Sequence, residues 1–117
     1  MSVLLCGEGD FSFARALASS VLARNQEYLV TITATSFEPE EEIKHYWGGA
    51  TNLQELHEER FRVFVEVLHG VDATALDTTF RDRTWDKICF MFPHIAGKGK
   101  ISLNRKLLAV SMKSILL

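Results

Sequence analysis

The chain opens on Val3-Leu4-Leu5-Cys6, an apolar run that stops at Gly7-Glu8-Gly9-Asp10, the pattern of a buried strand that turns sharply at its carboxyl end. Phe13, Leu17 and Val21, with Ala14, Ala18 and Leu22 beside them, then recur at helical spacing. They predict one apolar helix face from about Phe11 to Ala23, and Asp10 or Ser12 can cap its start. Tyr28 to Phe37 is rich in β-branched residues and apolar on both faces, as expected of a central strand covered on two sides. Pro39 suits the first turn of a short acidic helix through Glu40, Glu41, Glu42 and Ile43. Gly48-Gly49 breaks the chain before another helix, for which Thr51 and Gln54 have capping-box spacing and which should end near Arg62. Val63 to Leu68 reads as a third strand closing at His69-Gly70-Val71-Asp72, and a short helical segment follows near Thr74 to Phe80. Trp85 to Phe92 reads as a fourth strand, ended by Pro93-His94 because proline cannot extend a central ladder. From Ser102 to Leu117 the pattern is helical again.

Strand and helix alternate throughout, which predicts an α/β fold: a Rossmann-like, mostly parallel sheet with helices on both faces. The length of 117 residues fits one domain. At 47% hydrophobic and 24% charged, the composition excludes a disordered or low-complexity chain and predicts a packed core. No apolar run approaches the roughly 18–20 residues of a membrane helix, and the amino-terminal run is too short for a signal peptide. A soluble intracellular protein with no membrane association is expected. Cys6 and Cys89 lie in separate apolar runs and read as buried free thiols. They and His45, His57, His69 and His94 show no zinc-ligand spacing, so no metal is expected.

Charge changes the picture along the chain. Residues 1–60 carry a net charge of −6 and residues 61–117 a net charge of +4, with no acid after Asp86. A basic final third can meet nucleic-acid phosphates or form an ordinary solvated helix face.

In such sheets ligands lie at the carboxyl ends of the strands, where strand order reverses. Gly7-x-Gly9 permits close backbone approach, with small Ser12 where the dinucleotide fingerprint has its third glycine. Glu8 and Asp10 place two carboxylates where a pyrophosphate needs donors, which favours a cationic ligand such as S-adenosylmethionine over NAD or ATP. Both acids can also serve the helix amino terminus. Glu38, with Glu40 competing, follows the second strand where a carboxylate can take ribose hydroxyls. Asp72 ends the third strand, where it can accept from an adenine amino group or cap its own turn. At the fourth strand end, Pro93-His94 brings the one obvious acid/base group to the acceptor side, and Phe92 can stack on a base or serve as core. Gly97-Lys98-Gly99-Lys100 lacks Walker spacing and suits contact with RNA phosphates.

Taken together, Gly7-Glu8-Gly9-Asp10-Phe11-Ser12-Phe13, Thr33-Ala34-Thr35-Ser36, His69-Gly70-Val71-Asp72-Ala73-Thr74, Phe92-Pro93-His94, Gly97-Lys98-Gly99-Lys100 and Asn104-Arg105 resemble the 25S rRNA (uridine-N3)-methyltransferase-like domain family from Val3 to about Leu108. Met91 stands where that family often has Asn. The resemblance implies a class I methyltransferase fold, here its incomplete amino-terminal part. It also implies S-adenosylmethionine as cofactor, large-subunit rRNA as partner, and a nucleolar or nuclear location, with the cytoplasm as the other compartment. On this reading Gly7, Glu8, Gly9, Asp10, Ser12, Glu38, Asp72 and Ala73 surround the cofactor. His94 or Asp10 is the base, and Phe92, Pro93, His94, Lys98 and Lys100 meet the substrate. The alternative is a truncated, non-catalytic methyltransferase-like module that binds RNA or a protein partner, and an uncovered apolar fourth strand would invite self-association or a covering partner.

Overall fold

The structure is a computed structural model and describes residues 1–91. The expectations placed on Phe92, Pro93, His94, Lys98, Lys100 and the helix from Ser102 lie outside the described residues. Along the chain run β1 (Ser2–Cys6), α1 (Ser12–Ala23), β2 (Thr31–Thr35), α2 (Glu40–His45), α3 (Gly49–Leu56), α4 (Glu59–Arg62) and β3 (Val65–Leu68). A 3-10 turn (Ala73–Ala75), α5 (Leu76–Thr79) and β4 (Lys87–Phe90) complete the described part. All strand pairs are parallel, in the order β3-β2-β1-β4. The chain therefore winds outward from β1 to β3 and returns to the other side of β1, so the reversal of direction falls between β1 and β4.

Side-chain alternation along the strands builds a separate core on each face. Val3 and Leu5 of β1, with Ile32 and Ala34 of β2, pack against Ala14, Ala18 and Val21 of α1, Leu53 and Leu56 of α3, and Phe61 of α4. The intervening Leu4 and Cys6 face the other way and meet Val71, Leu76 and Phe80. Helices thus cover both faces. The α/β, Rossmann-like architecture expected from the pattern is the one observed.

Element ends depart from the pattern for identifiable reasons. Strand β2 is shorter than Tyr28 to Phe37, because the Gln26 carbonyl accepts the N–H groups of both Leu29 and Val30 and makes a turn there, leaving Tyr28 92% exposed. The face expected to be apolar carries Thr33 and Thr35, and Arg83 crosses it to donate to Thr33 Oγ1 (3.1 Å) and pair with Glu66 (2.9 Å). The single helix expected to end near Arg62 is two. The His57 N–H still reaches the Leu53 carbonyl, but the Glu58 N–H turns to the Glu55 carbonyl (3.0 Å) and Glu58 itself is extended (ψ 148°), which ends α3. Thr51 does not cap: it lies inside α3, whose start is Gly48 in the left-handed region (φ 80°).

Candidate active site at the carboxyl ends of the strands

The loop from Gly7 to Phe11 leaves β1 at the point where strand order reverses. Its path is fixed by backbone bonds to both neighbouring strands: Glu8 N–H donates to the Thr35 carbonyl (2.9 Å), and Met91 N–H donates to the Cys6 carbonyl (2.7 Å). Gly7 has φ 77°, and a Cβ there would come within 3.0 Å of the Met91 carbonyl oxygen, so this position requires glycine on two counts. Among the described residues nothing lies within 4 Å of a Cβ built at Gly9. Phe11 adopts φ 64° as the residue before α1, an uncommon state for a bulky side chain, and its ring is fully buried with its edge toward His69 (centroids 5.5 Å apart).

Beside this loop opens a cleft of about 530 Å³ lined by Glu8, Gly9, Asp10, Ser12, Phe13, Tyr46, Trp47 and Met91. That volume is in the range of small-molecule sites. Asp10 accepts the Ser12 N–H (2.9 Å), so the carboxylate serves the helix start while lining the cleft. Glu8 is 5% exposed. Its carboxyl accepts a backbone bond from Ala14 in the first turn of α1, while its buried Oε1 has no partner among the described residues.

Glu38, just after β2, is not part of the cleft wall; its Oε2 accepts the Tyr46 hydroxyl, and Tyr46 is. That bond to a carboxylate, with burial and negative charge adding to it, pushes the Tyr46 phenol up to about 12, so Tyr46 stays a donor at neutral pH. Asp72 and Ala73 open the 3-10 turn after β3 and lie outside the lining of the cleft. The Asp72 Oδ1 accepts the Thr74 N–H (2.9 Å) and hydroxyl (2.6 Å), the turn-capping geometry that its place in the sequence left open.

A family model described as BMT5-like, rRNA (uridine-N3-)-methyltransferase BTM5-like, matches residues 4–116. The chain belongs to the BMT5-like family. Mouse ferredoxin-fold anticodon-binding domain-containing protein 1 homolog and its human counterpart are each 37% identical to it over 114 residues, 96% of this chain and 17% of theirs. Heavy metal-associated isoprenylated plant protein 41 of Arabidopsis thaliana is 35% identical over 103 residues, 86% of this chain and 18% of that protein. The chain therefore spans less than a fifth of the length of these relatives. No solved structure matches. Among the described residues no helix is long and apolar enough to cross a membrane, and no group of three or more His, Cys, Asp or Glu side chains could hold a metal ion.

Three features of this BMT5-like site left no local mark in the sequence. Asn52, nearly buried on α3, donates through Nδ2 to the Asp10 carbonyl (2.9 Å) and holds the loop against α3 from 42 residues away. Ser36 Oγ donates to the Glu38 carbonyl (2.8 Å) and meets His69 Nδ1 (2.8 Å), tying the ends of β2 and β3 together just where Glu38 begins. Burial, the largest influence on His69, lowers its pKa and keeps the ring neutral in this network. Trp47, 95% exposed, stands at the cleft with Tyr46 and Phe13. An aromatic rim of this kind can stack on a planar ring.

Burial raises the Glu8 carboxyl from its ordinary 4.5 to about 7; the Ala14 bond opposes the rise and the negative charge of Asp10 adds to it. The folded chain then keeps a proton that the unfolded chain has lost. The Glu8 contribution to stability is fully present below pH 4.5 and is lost as pH rises through about 7. Glu8→Gln should remove this loss, so the difference in unfolding free energy between variant and parent should grow by on the order of 3 kcal/mol from pH 4 to pH 8. Urea unfolding of both across that range measures it, and parallel curves would mean that the Glu8 carboxyl is hydrated in solution.

Proposed function

We propose that the chain carries the cofactor-binding part of an S-adenosylmethionine-dependent methyltransferase acting on a ring nitrogen of uridine in rRNA. The observation that carries this reading is the cleft between the ends of β1 and β4, where Gly9 lies beside a buried carboxyl oxygen that has no partner among the described residues. Such a wall suits a ligand that is cationic at one end and costs a pyrophosphate two carboxylate neighbours. Membership of the BMT5-like family supports the same chemistry.

When bound, S-adenosylmethionine supplies an electrophilic methyl group. The protein's part is to bind and to orient. Gly7 and Gly9 let the backbone approach, and Asp10 with Ser12 forms the wall at the start of α1. Glu38, steadied by Tyr46, and Asp72 with Ala73 stand at the next two strand ends outside this cleft wall, where they would meet ribose and adenine only if the ligand extends along the sheet, Asp72 through the oxygen not engaged by Thr74. A uridine ring nitrogen must lose its proton as it gains the methyl, so a base has to reach it. Asp10 lines the cleft and His94 follows Met91 closely in sequence, so these two are the groups to test for that proton. Phe92, Pro93, His94, Lys98 and Lys100 would form the rRNA side, with the two lysines meeting phosphates.

Calorimetric titration of the 117-residue chain with S-adenosylmethionine, with NAD as control, tests the reading. Selective binding should raise the melting temperature, because a ligand that binds only the folded chain stabilises it. It would also make methyl transfer to large-subunit rRNA the next assay. A folded chain that binds neither compound would overturn the reading in favour of a non-catalytic module.

A further inference from the structure

Glu8 differs from the other acids near the cleft in being both buried and incompletely partnered. Asp10 serves Ser12, Asp72 serves Thr74, and Glu38 serves Tyr46. Glu8, a lining residue of the cleft, accepts one bond from the Ala14 N–H, while its Oε1, out of water, has no partner among the described residues. A carboxylate left this way is unfavourable unless a positive charge arrives, and a neutral acid is the lower state until it does. Met91 lines the same cleft and directly precedes the Phe92-Pro93-His94 segment assigned to the acceptor side, so the end of the ligand that reacts belongs near Glu8.

We propose that Glu8 is the residue by which the cleft tells a ligand with a positively charged sulfur from the same ligand with a neutral one, giving up its proton to solvent as the cation binds. This rests on the S-adenosylmethionine reading above. S-adenosylmethionine and S-adenosylhomocysteine share adenosine and amino-acid groups and differ in one methyl and in the charge on sulfur. Binding of the sulfonium ligand therefore favours the Glu8 carboxylate. Once the methyl has left and the sulfur is a neutral thioether, the carboxylate has lost its counter-charge, takes a proton back from water, and holds the product less tightly. Product release is in this way tied to the charge removed by the transfer itself.

The neighbours of Glu8 allow this assignment. Asp10, from the same loop, is a negative charge that disfavours the carboxylate. Tyr46, after α2, stays neutral near pH 7. The Cys6 thiol at the end of β1 is pushed up to about 11 by burial and is uncharged in the same range. From α1 comes the Ala14 backbone bond, and its first turn carries no acid. His69 of the β3 end lies behind Phe11 and is kept neutral. Glu8 is then the group among these whose charge changes around pH 7.

Calorimetry with both ligands, in buffers of different ionisation enthalpy, at pH 6 and pH 8, reads the linkage. For S-adenosylmethionine the affinity should rise about tenfold from pH 6 to pH 8, with roughly half a proton released at pH 7, as a carboxyl titrating near 7 requires. S-adenosylhomocysteine should show neither once the amino-group titration of each free ligand, which the sulfonium shifts downward in S-adenosylmethionine, has been measured and subtracted. Glu8→Gln should bring the two affinities to within a few-fold and abolish the difference in proton release, while leaving the melting transition cooperative. The parent chain alone can overturn the proposal: equal pH dependence for both ligands would place the amino group, not the sulfur, beside Glu8. If Glu8→Gln keeps the preference for the sulfonium, Glu8 is not its source and the broader reading stands. If the folded parent binds neither ligand, both fall together.

Discussion

Phe11→Ala should cost about 3–5 kcal/mol of unfolding free energy, the range for removing a large aromatic ring from a well-packed interior. The ring is fully buried in the core shared by α1 and α3, in a T-shaped contact with His69. The main chain at this position is left-handed (φ 64°), so alanine inherits the strain of the parent while losing its packing. Phe11→Gly separates the two contributions. It creates nearly the same cavity but adopts the left-handed state without a Cβ penalty, and should recover about 1 kcal/mol of the loss. Urea unfolding of the three proteins measures both quantities. An alanine variant within 1 kcal/mol of the parent would mean that the cavity refills, and that the loop does not depend on this ring.

Gly49→Ala should be the other severe single change. In most helices the exchange gains about 1 kcal/mol. Here a Cβ would come within 2.0 Å of the Ile43 carbonyl oxygen and 3.0 Å of its carbon, and Ile43 is fully buried. Backbone cannot step aside as a side-chain tip can, so α2 and α3 must separate, at a cost about 3 kcal/mol in the range for overpacked cores. The separation also moves Tyr46 relative to Glu38, so on the function proposed above S-adenosylmethionine binding should weaken along with the melting temperature. Gly48→Ala is the control. Despite φ 80°, its Cβ meets nothing closer than the Asn52 side chain at 3.7 Å, and only the left-handed penalty of about 1–2 kcal/mol applies. Equal losses at the two glycines would show that conformation, and not the α2–α3 approach, decides this corner.

Much of this architecture was legible in the sequence because β1, the glycine loop and α1 announce themselves locally. An apolar run, a Gly-x-Gly break and a helical stripe stand in direct succession. Strand β2 was less legible at its edges. Tyr28, Leu29 and Phe37 are apolar yet exposed, and nothing local distinguishes them from the buried Ile32 and Ala34. The break after Leu56 lies in the main chain, where Glu58 turns its N–H to Glu55 and becomes extended, and helical periodicity carries no sign of it. The glycines and acids of the first loop could be read as a site from spacing and charge. Asn52 and His69 could not, since each acts on a partner tens of residues away. Asp72 shows the limit from the other side: its position after β3 fitted both a ligand contact and a turn cap, and the bonds to Thr74 are those of the cap.

The first loop is anchored by Glu8 N–H to Thr35, Met91 N–H to Cys6 and Asn52 Nδ2 to the Asp10 carbonyl, and on the loop's side each of these bonds uses main chain. Exchanging the side chains at positions 8 and 10 therefore gives up their bonds to the start of α1 but leaves these anchors in place, whereas the conformation at Gly7 cannot change. A descendant of this scaffold could acquire a new ligand preference through one or two substitutions on an unmoved backbone. A directed search for altered cofactor analogues should accordingly randomise Glu8 and Asp10 while holding Gly7 constant.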